Sequence, residues 1–200
     1  MAFKSVLFIC SFLSSYLVFG HGHDAFDRLS KKPVDYGNIG AICEQLMGLT
    51  LEEVYPKAEY DIQIGIVYQH RGRVLGELDL VVFRKATGRA VSVVEVKCAK
   101  SPKRSLGKAR EQLARFKRFL LRGAPGTIHS GADRGVVFER GRFLHNPLYE
   151  AGSVLGSKKV GYDLDIPYTV SDAMKLRRRL MQCQASGRCP VPLIVMLDMD

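Results

Sequence analysis

Acidic residues are scarce in this 200-residue sequence: 20 Asp and Glu stand against 30 Lys and Arg, for a formal net charge of +10. That balance argues against a cationic partner and favours a polyanionic one, nucleic acid or an anionic membrane surface. Internal repeats and low-complexity tracts are absent, which excludes a solenoid or a linker-like chain. A hydrophobic share of 46% excludes wholesale disorder and is ample for one domain with a real core. No apolar run is long enough to span a bilayer, since the one at 6–19 is too short. No segment resembles a base-reading motif, so sequence-specific recognition of nucleic acid is not indicated.

What the run at 6–19 does match is a secretory signal peptide. Lys4 supplies a short positive lead, and Val18-Phe19-Gly20 puts aliphatic and small residues before a cleavage point at His21. Removal of residues 1–20 and a secreted or periplasmic location are therefore expected, with no stable membrane association afterwards. Cys10 leaves with that segment, and Cys43, Cys98, Cys183 and Cys189 remain. An even number in an exported chain suits disulfides. Connectivity is open at this level. Closeness around a glycine-containing turn favours Cys183 with Cys189, and Cys43 with Cys98 is then the remainder.

Residues 21–36 are polar, carry Pro33 and read as an arm or irregular lead-in. A helix is expected over 37–48, with Ile39, Ile42 and Leu46 in its apolar stripe and Glu44 on another face. Gly40, Ala41 and Gly48 around Glu44 would let that face approach a sheet closely. Residues 60–68 alternate Ile62, Ile64 and Ile66 with polar or small residues, the period of a half-buried strand. Strands over 75–84 and 90–98 follow across short turns, so an antiparallel meander is expected. Leu106, Ala109, Leu113, Phe116 and Leu120 then repeat at helical spacing over 105–122. A fourth strand over 134–139 is expected to run parallel to a neighbour. Residues 140–168 read as loops, 171–184 as a basic helix capped by Ser171 or Asp172, and 191–197 as a strand or an apolar tail.

The chemistry concentrates on two strands. Glu95 and Lys97 are two apart on a valine-rich strand and must share a face. Such charges among valines cost several kcal/mol unless paired, hydrated or bound to metal. The alternative is an exposed edge-strand pair with valines packed behind. Gly76-Glu77-Leu78-Asp79 opens the preceding strand with two more acids. From Lys97 to Arg122 the chain carries ten basic residues against the single acid Glu111, which suits a phosphate-gripping face or a solvated helix.

The order helix, three-strand meander, helix, strand, with Glu44, Gly76-Glu77-x-Asp79, Glu95-x-Lys97 and Gln112 along it, resembles the PD-(D/E)XK nuclease superfamily. It looks most like the RecB-like and resolvase-like branch. Leu78 stands where many members have proline, and Phe116 where RecB-like domains have tyrosine, so Phe116 would be a packing group. The resemblance covers about 37–140 and implies an α/β, restriction-endonuclease-like core (α-β-β-β-α-β, mixed sheet), with 141–200 as a C-terminal helical extension of one nuclease domain over 37–200. It implies catalytic roles for Glu44, Asp79, Glu95, Lys97 and Gln112. It also implies Mg²⁺ or Mn²⁺ held by Asp79, Glu95, the Val96 carbonyl and Glu44, since hard oxygen donors suit these ions. Lys100, Lys103, Arg104, Lys108 and Arg115 would grip the backbone of DNA, with RNA or branched DNA as alternatives. The implied activity is an exported metal-dependent deoxyribonuclease of little sequence specificity. A non-catalytic nucleic-acid-binding protein is the rival from another class.

Overall fold

Short turns dictate the centre of the fold. The computed structural model describes residues 21–99, 101–123 and 126–192. The expectations placed on 1–20, on Lys100 and on the end of the chain past 192 lie outside the described residues. Strand β1 (Tyr60–His70) turns into β2 (Arg73–Arg84) through Arg71 and Gly72, both at positive φ, the conformation a two-residue hairpin turn requires. Strand β3 (Ala90–Val96) completes an antiparallel meander. Ahead of it stand α1 (His21–Leu29) and α2 (Ile39–Val54). After it come α3 (Pro102–Leu121), β4 (Thr127–Ser130), β5 (Val137–Phe138), β6 (Leu148–Ser153), β7 (Leu164–Asp165) and α4 (Val170–Ala185). The sheet is mixed and seven-stranded, in the order β5-β4-β1-β2-β3-β6-β7.

Helices cover both faces. Ile42, Leu46 and Met47 of α2 pack with Leu80, Val82, Val94 and Val96 on one side, joined there by Ala25 and Leu29 of α1 and Leu176 and Leu180 of α4. On the other side Leu113, Phe116, Phe119 and Leu120 of α3 pack with Ile66, Tyr68, Leu78, Val81 and Val93. Each such side chain stabilises the fold by about 1.5–3 kcal/mol. Gly48 matters to the first layer: a Cβ there would sit 3.1 Å from Ile64 Cδ1, so glycine lets α2 approach the sheet closely.

The isoleucine alternation of β1 does not stay on one face. Ile62 and Ile64 pack on the α2 side, yet Ile66 packs on the α3 side. Gly65, at φ +71°, switches the faces between them. The partner strand switches at the same level, with Leu78 on the α3 side and Leu80 on the α2 side. Because Ile64 pairs with Leu80 and Ile66 with Leu78, Asp79 stands opposite Gly65 at this break.

Several expectations are corrected. Residues 21–36 are no irregular arm: α1 forms, and Ala25, Leu29 and Tyr36 are buried in the core. Only Val137–Phe138 of the expected strand over 134–139 is extended, and it runs antiparallel to β4. The parallel partner of β3 is β6, from a stretch read as loops. Its Leu148, Tyr149 and Glu150 are exposed or half-buried, and its buried end Ala151-Gly152-Ser153 is small because small residues are what fit under neighbouring side chains. A Cβ on Gly152, for example, would collide with the Met47 methyl. The segment past 140 is likewise no appended helix, since β6 and β7 extend the sheet and α4 closes the α2-side core. The α4 cap is Thr169, which accepts from the Asp172 N–H at 3.2 Å.

Candidate active site

The β2–β3 ladder stops at Leu80–Val94. Beyond that point the Asp79 carboxylate takes over, accepting the Val96 N–H at 2.7 Å. The strands part there, and a side chain fills a place that a backbone carbonyl holds elsewhere in the ladder. The same break that switches the faces of β1 and β2 therefore presents Asp79 to β3.

Glu95 has no solvent exposure. Its Oε1 is in contact with the Lys97 ammonium, as their shared face requires. Its Oε2 is buried and finds no donor while both carboxyls are ionised, and the Asp79 carboxyl is the neighbour with which Glu95 can share a proton. An ionised carboxylate oxygen left unpaired in a core costs far more than a neutral polar group, unless a proton or cation satisfies it. Lys97 also lies 3.8 Å from Asp79 Oδ2. Burial works against the Lys97 charge, but Asp79 and Glu95 outweigh it and hold the ammonium above its ordinary pKa. The edge-strand alternative for Glu95 and Lys97 is thereby set aside, because β3 is a central strand between β2 and β6.

Glu44 reaches the same charges from α2. Asn38 caps that helix by accepting the Gly40 N–H at 2.9 Å. Gly40 leaves room for the carboxylate one turn later, since a Cβ on it would lie 3.1 Å from Glu44 Oε1. Burial, with the charges of Asp79 and Glu77 adding to it and Lys97 opposing, pushes the Glu44 carboxyl up to about 7. Burial likewise raises Asp79 and Glu95, against the pull of Lys97. Four acids thus face one lysine, and each of them binds its proton more tightly than in water. The disulfide Cys43–Cys98 ties α2 to the end of β3 beside this cluster, and Cys183–Cys189 closes the second expected pair.

No family model matches this sequence, and no significant match to a curated protein or a solved structure was found. The site therefore has to speak through its own geometry.

Among the described residues, no group of three or more His, Cys, Asp or Glu side chains is gathered tightly enough to hold a metal ion by itself. A dedicated cage is excluded on that ground for the structure as it stands. The donor set that remains is two adjacent carboxylates, one with an orphaned oxygen, at the end of a ladder. That suits Mg²⁺, which keeps several waters and takes only one or two carboxylates from a protein. No hydrogen bond or ion pair joins Gln112 to the acids; it is half-buried on α3.

The basic residues divide. Lys103, Arg104 and Lys108 are exposed along α3, and Arg104 and Lys108 line a cleft of about 290 Å³ with Ala99 and Ser101, just past Lys97. Arg115 lies further along, 3.8 Å from Glu111, and lines a separate cleft. Arg110 instead donates to the Gly161 carbonyl at 2.9 Å, and Lys117 lies over the Tyr149 ring. In α4, Arg177 donates to the Tyr36 and Gly37 carbonyls and Arg179 covers Phe26, so much of this run clamps the helix to the preceding segment. Sequence reading missed Tyr68, Leu75, Arg118 and Arg122, which line the cleft with Arg115. The i, i+3, i+7 spacing of the three arginines was the available signal.

Proposed function

We propose that this chain is an exported, metal-dependent nuclease that hydrolyses DNA phosphodiester bonds with little sequence specificity. The observation that carries the reading is the orphaned Glu95 Oε2, buried beside Asp79 and Lys97 where β2 and β3 separate. The succession α2-β1-β2-β3-α3-β6, with β6 parallel to β3, supports a restriction-endonuclease-like core, into which β4 and β5 are inserted. Two disulfides among the described residues suit an oxidising compartment.

Asp79 and Glu95 would hold Mg²⁺ or Mn²⁺, with the Val96 carbonyl as a further oxygen donor and Glu44 reaching the ion through a bound water. When bound, such an ion neutralises phosphoryl charge and acidifies water. Lys97 orients the attacking water and stabilises the negative charge that develops on the phosphoryl oxygens. Glu44, on α2, would accept a hydrogen bond from that water and so help to orient it. Arg104 and Lys108 grip the backbone beside the scissile bond without reading bases.

The test is cleavage of supercoiled plasmid, linear DNA and RNA by the oxidised protein in Mg²⁺, Mn²⁺ or EDTA, alongside Lys97→Ala. DNA cleavage that needs the metal and is lost in Lys97→Ala supports the reading. Cleavage that persists in EDTA, or is unchanged in Lys97→Ala, sinks it. Binding without cleavage in every metal favours a nucleic-acid-binding protein instead.

A further inference from the structure

A second cleft, of about 420 Å³, lies between α3 and the outer part of the β1–β2 hairpin. Its lining comprises Tyr68, Leu75 and Phe119 below and Arg115, Arg118 and Arg122 above, with His70 at one side. Tyr68 and Phe119 are packed ring to ring at 5.2 Å and are almost wholly buried, so the floor is rigid. Gly76 makes that floor possible, because a Cβ there would collide with the Tyr68 hydroxyl. The three arginines are exposed, and among the described residues no acid pairs with Arg118 or Arg122.

Burial raises the Tyr68 hydroxyl pKa, Arg115 opposes that, and Glu95 adds to it, so the side chain feels both sites. Arginines near a helix C-terminus also complement the helix dipole. That accounts for their charge but not for a cavity with an apolar aromatic floor beneath them.

We propose that this cleft receives one unpaired nucleotide of single-stranded DNA, its base against Leu75 at the edge of the Tyr68–Phe119 floor and its phosphates against the arginines. The proposal rests on the nuclease reading only in taking that strand as the substrate. A duplex presents phosphates and groove edges, and its base faces are stacked away; phosphate contact alone would need no apolar floor. An unstacked base has an apolar face to bury, and a volume of this size is that of a small-molecule site. The substrate class is therefore a single strand or a frayed end rather than intact duplex.

The test is fluorescence anisotropy of the full chain in EDTA with a labelled oligodeoxynucleotide, single-stranded or annealed to its complement. Single strands should bind about tenfold more tightly than duplex. Leu75→Asp should remove most of that preference while changing duplex affinity little. Arg122→Glu, at an exposed position, should lower single-strand affinity more than duplex affinity, and it serves as the readout if Leu75→Asp does not fold. Equal affinity for the two forms, or variants that weaken both equally, would overturn the proposal. Because binding is read without metal, the two readings fail separately. Lost preference with Mg²⁺-dependent cleavage intact removes only the cleft, and retained preference without cleavage removes only the nuclease.

Discussion

Cys43 immediately precedes Glu44, Cys98 immediately follows Lys97, and the two cysteines are joined. One covalent bond therefore sets the distance between the helix that carries Glu44 and the strand end that carries Glu95 and Lys97. Its loop spans 55 residues, against 6 for Cys183–Cys189. Chain entropy alone puts the two at about 4 and about 2 kcal/mol of stability. Paired Cys→Ser variants should follow that order in chemical denaturation. Nuclease activity measured below each unfolding midpoint should fall only for Cys43→Ser/Cys98→Ser. Equal activity loss in both variants would show that the first bridge has no special hold on the site.

Glu95 and Lys97 should separate stability from activity. Glu95→Gln removes a buried charge, keeps the shape, and should leave metal-free stability unchanged or raised. Lys97→Met takes away the cation that both carboxylates share and should cost about 1–3 kcal/mol. Both variants should lose cleavage by about a hundredfold or more. Thermal melts in EDTA and plasmid nicking in Mg²⁺ read the two effects. A Glu95→Gln protein that melts well below the parent would mean that the orphaned oxygen has an anchoring role in the fold.

Acidification should stabilise the metal-free protein. Burial and like charges push Glu44 up to about 7, above its unfolded value, so the folded state binds that proton more tightly. Stability is then fully present below about pH 4.5 and is lost as pH rises through about 7, since there the unfolded chain holds fewer protons. In EDTA, this group's contribution should lower the melting temperature from pH 5 to pH 8, by about 2–4 °C for each kcal/mol lost. Glu44→Gln should make the profile shallower, leaving the share of Asp79 and Glu95, and Mg²⁺ at pH 8 should restore the loss in the parent. A profile identical in parent and Glu44→Gln would remove Glu44 from the cluster.

The elements that positioned the acids were legible because their signals are local. Glu95 and Lys97 share a face through strand period alone, and the α3 stripe of Leu106, Ala109, Leu113, Phe116 and Leu120 is buried as its spacing requires. The meander followed from its short turns. What stayed hidden depends on contacts distant in the chain. The buried end of β6, Ala151-Gly152-Ser153, is small where Met47 and Val94 lie over Gly152, so it carries no period of its own. Residues 21–36 look polar because the few that turn inward, Ala25, Leu29 and Tyr36 with Phe26 and Val34 beside them, do so partly against an α4 that arrives at the other end of the chain. The face switch at Gly65 defeats a period-two reading of β1, yet it is what brings Asp79 to the end of the ladder.

That switch gives the sharpest test of how the fold makes the site. Gly65 and Gly72 both sit at positive φ, at 71° and 77°. Alanine at either should cost about 1–2 kcal/mol of backbone strain. Their surroundings differ: a Cβ on Gly72 meets nothing within 4 Å, and one on Gly65 comes within 3.0 Å of Glu77 Oε1. Gly65 also stands across from Asp79, whereas Gly72 is at the hairpin tip. Gly65→Ala and Gly72→Ala should therefore lose similar stability in denaturant titrations, and only Gly65→Ala should lose cleavage, by about tenfold or more as the Asp79 carboxylate shifts. Parallel losses of activity in the two variants would mean that the break in β1 shapes the sheet without placing Asp79.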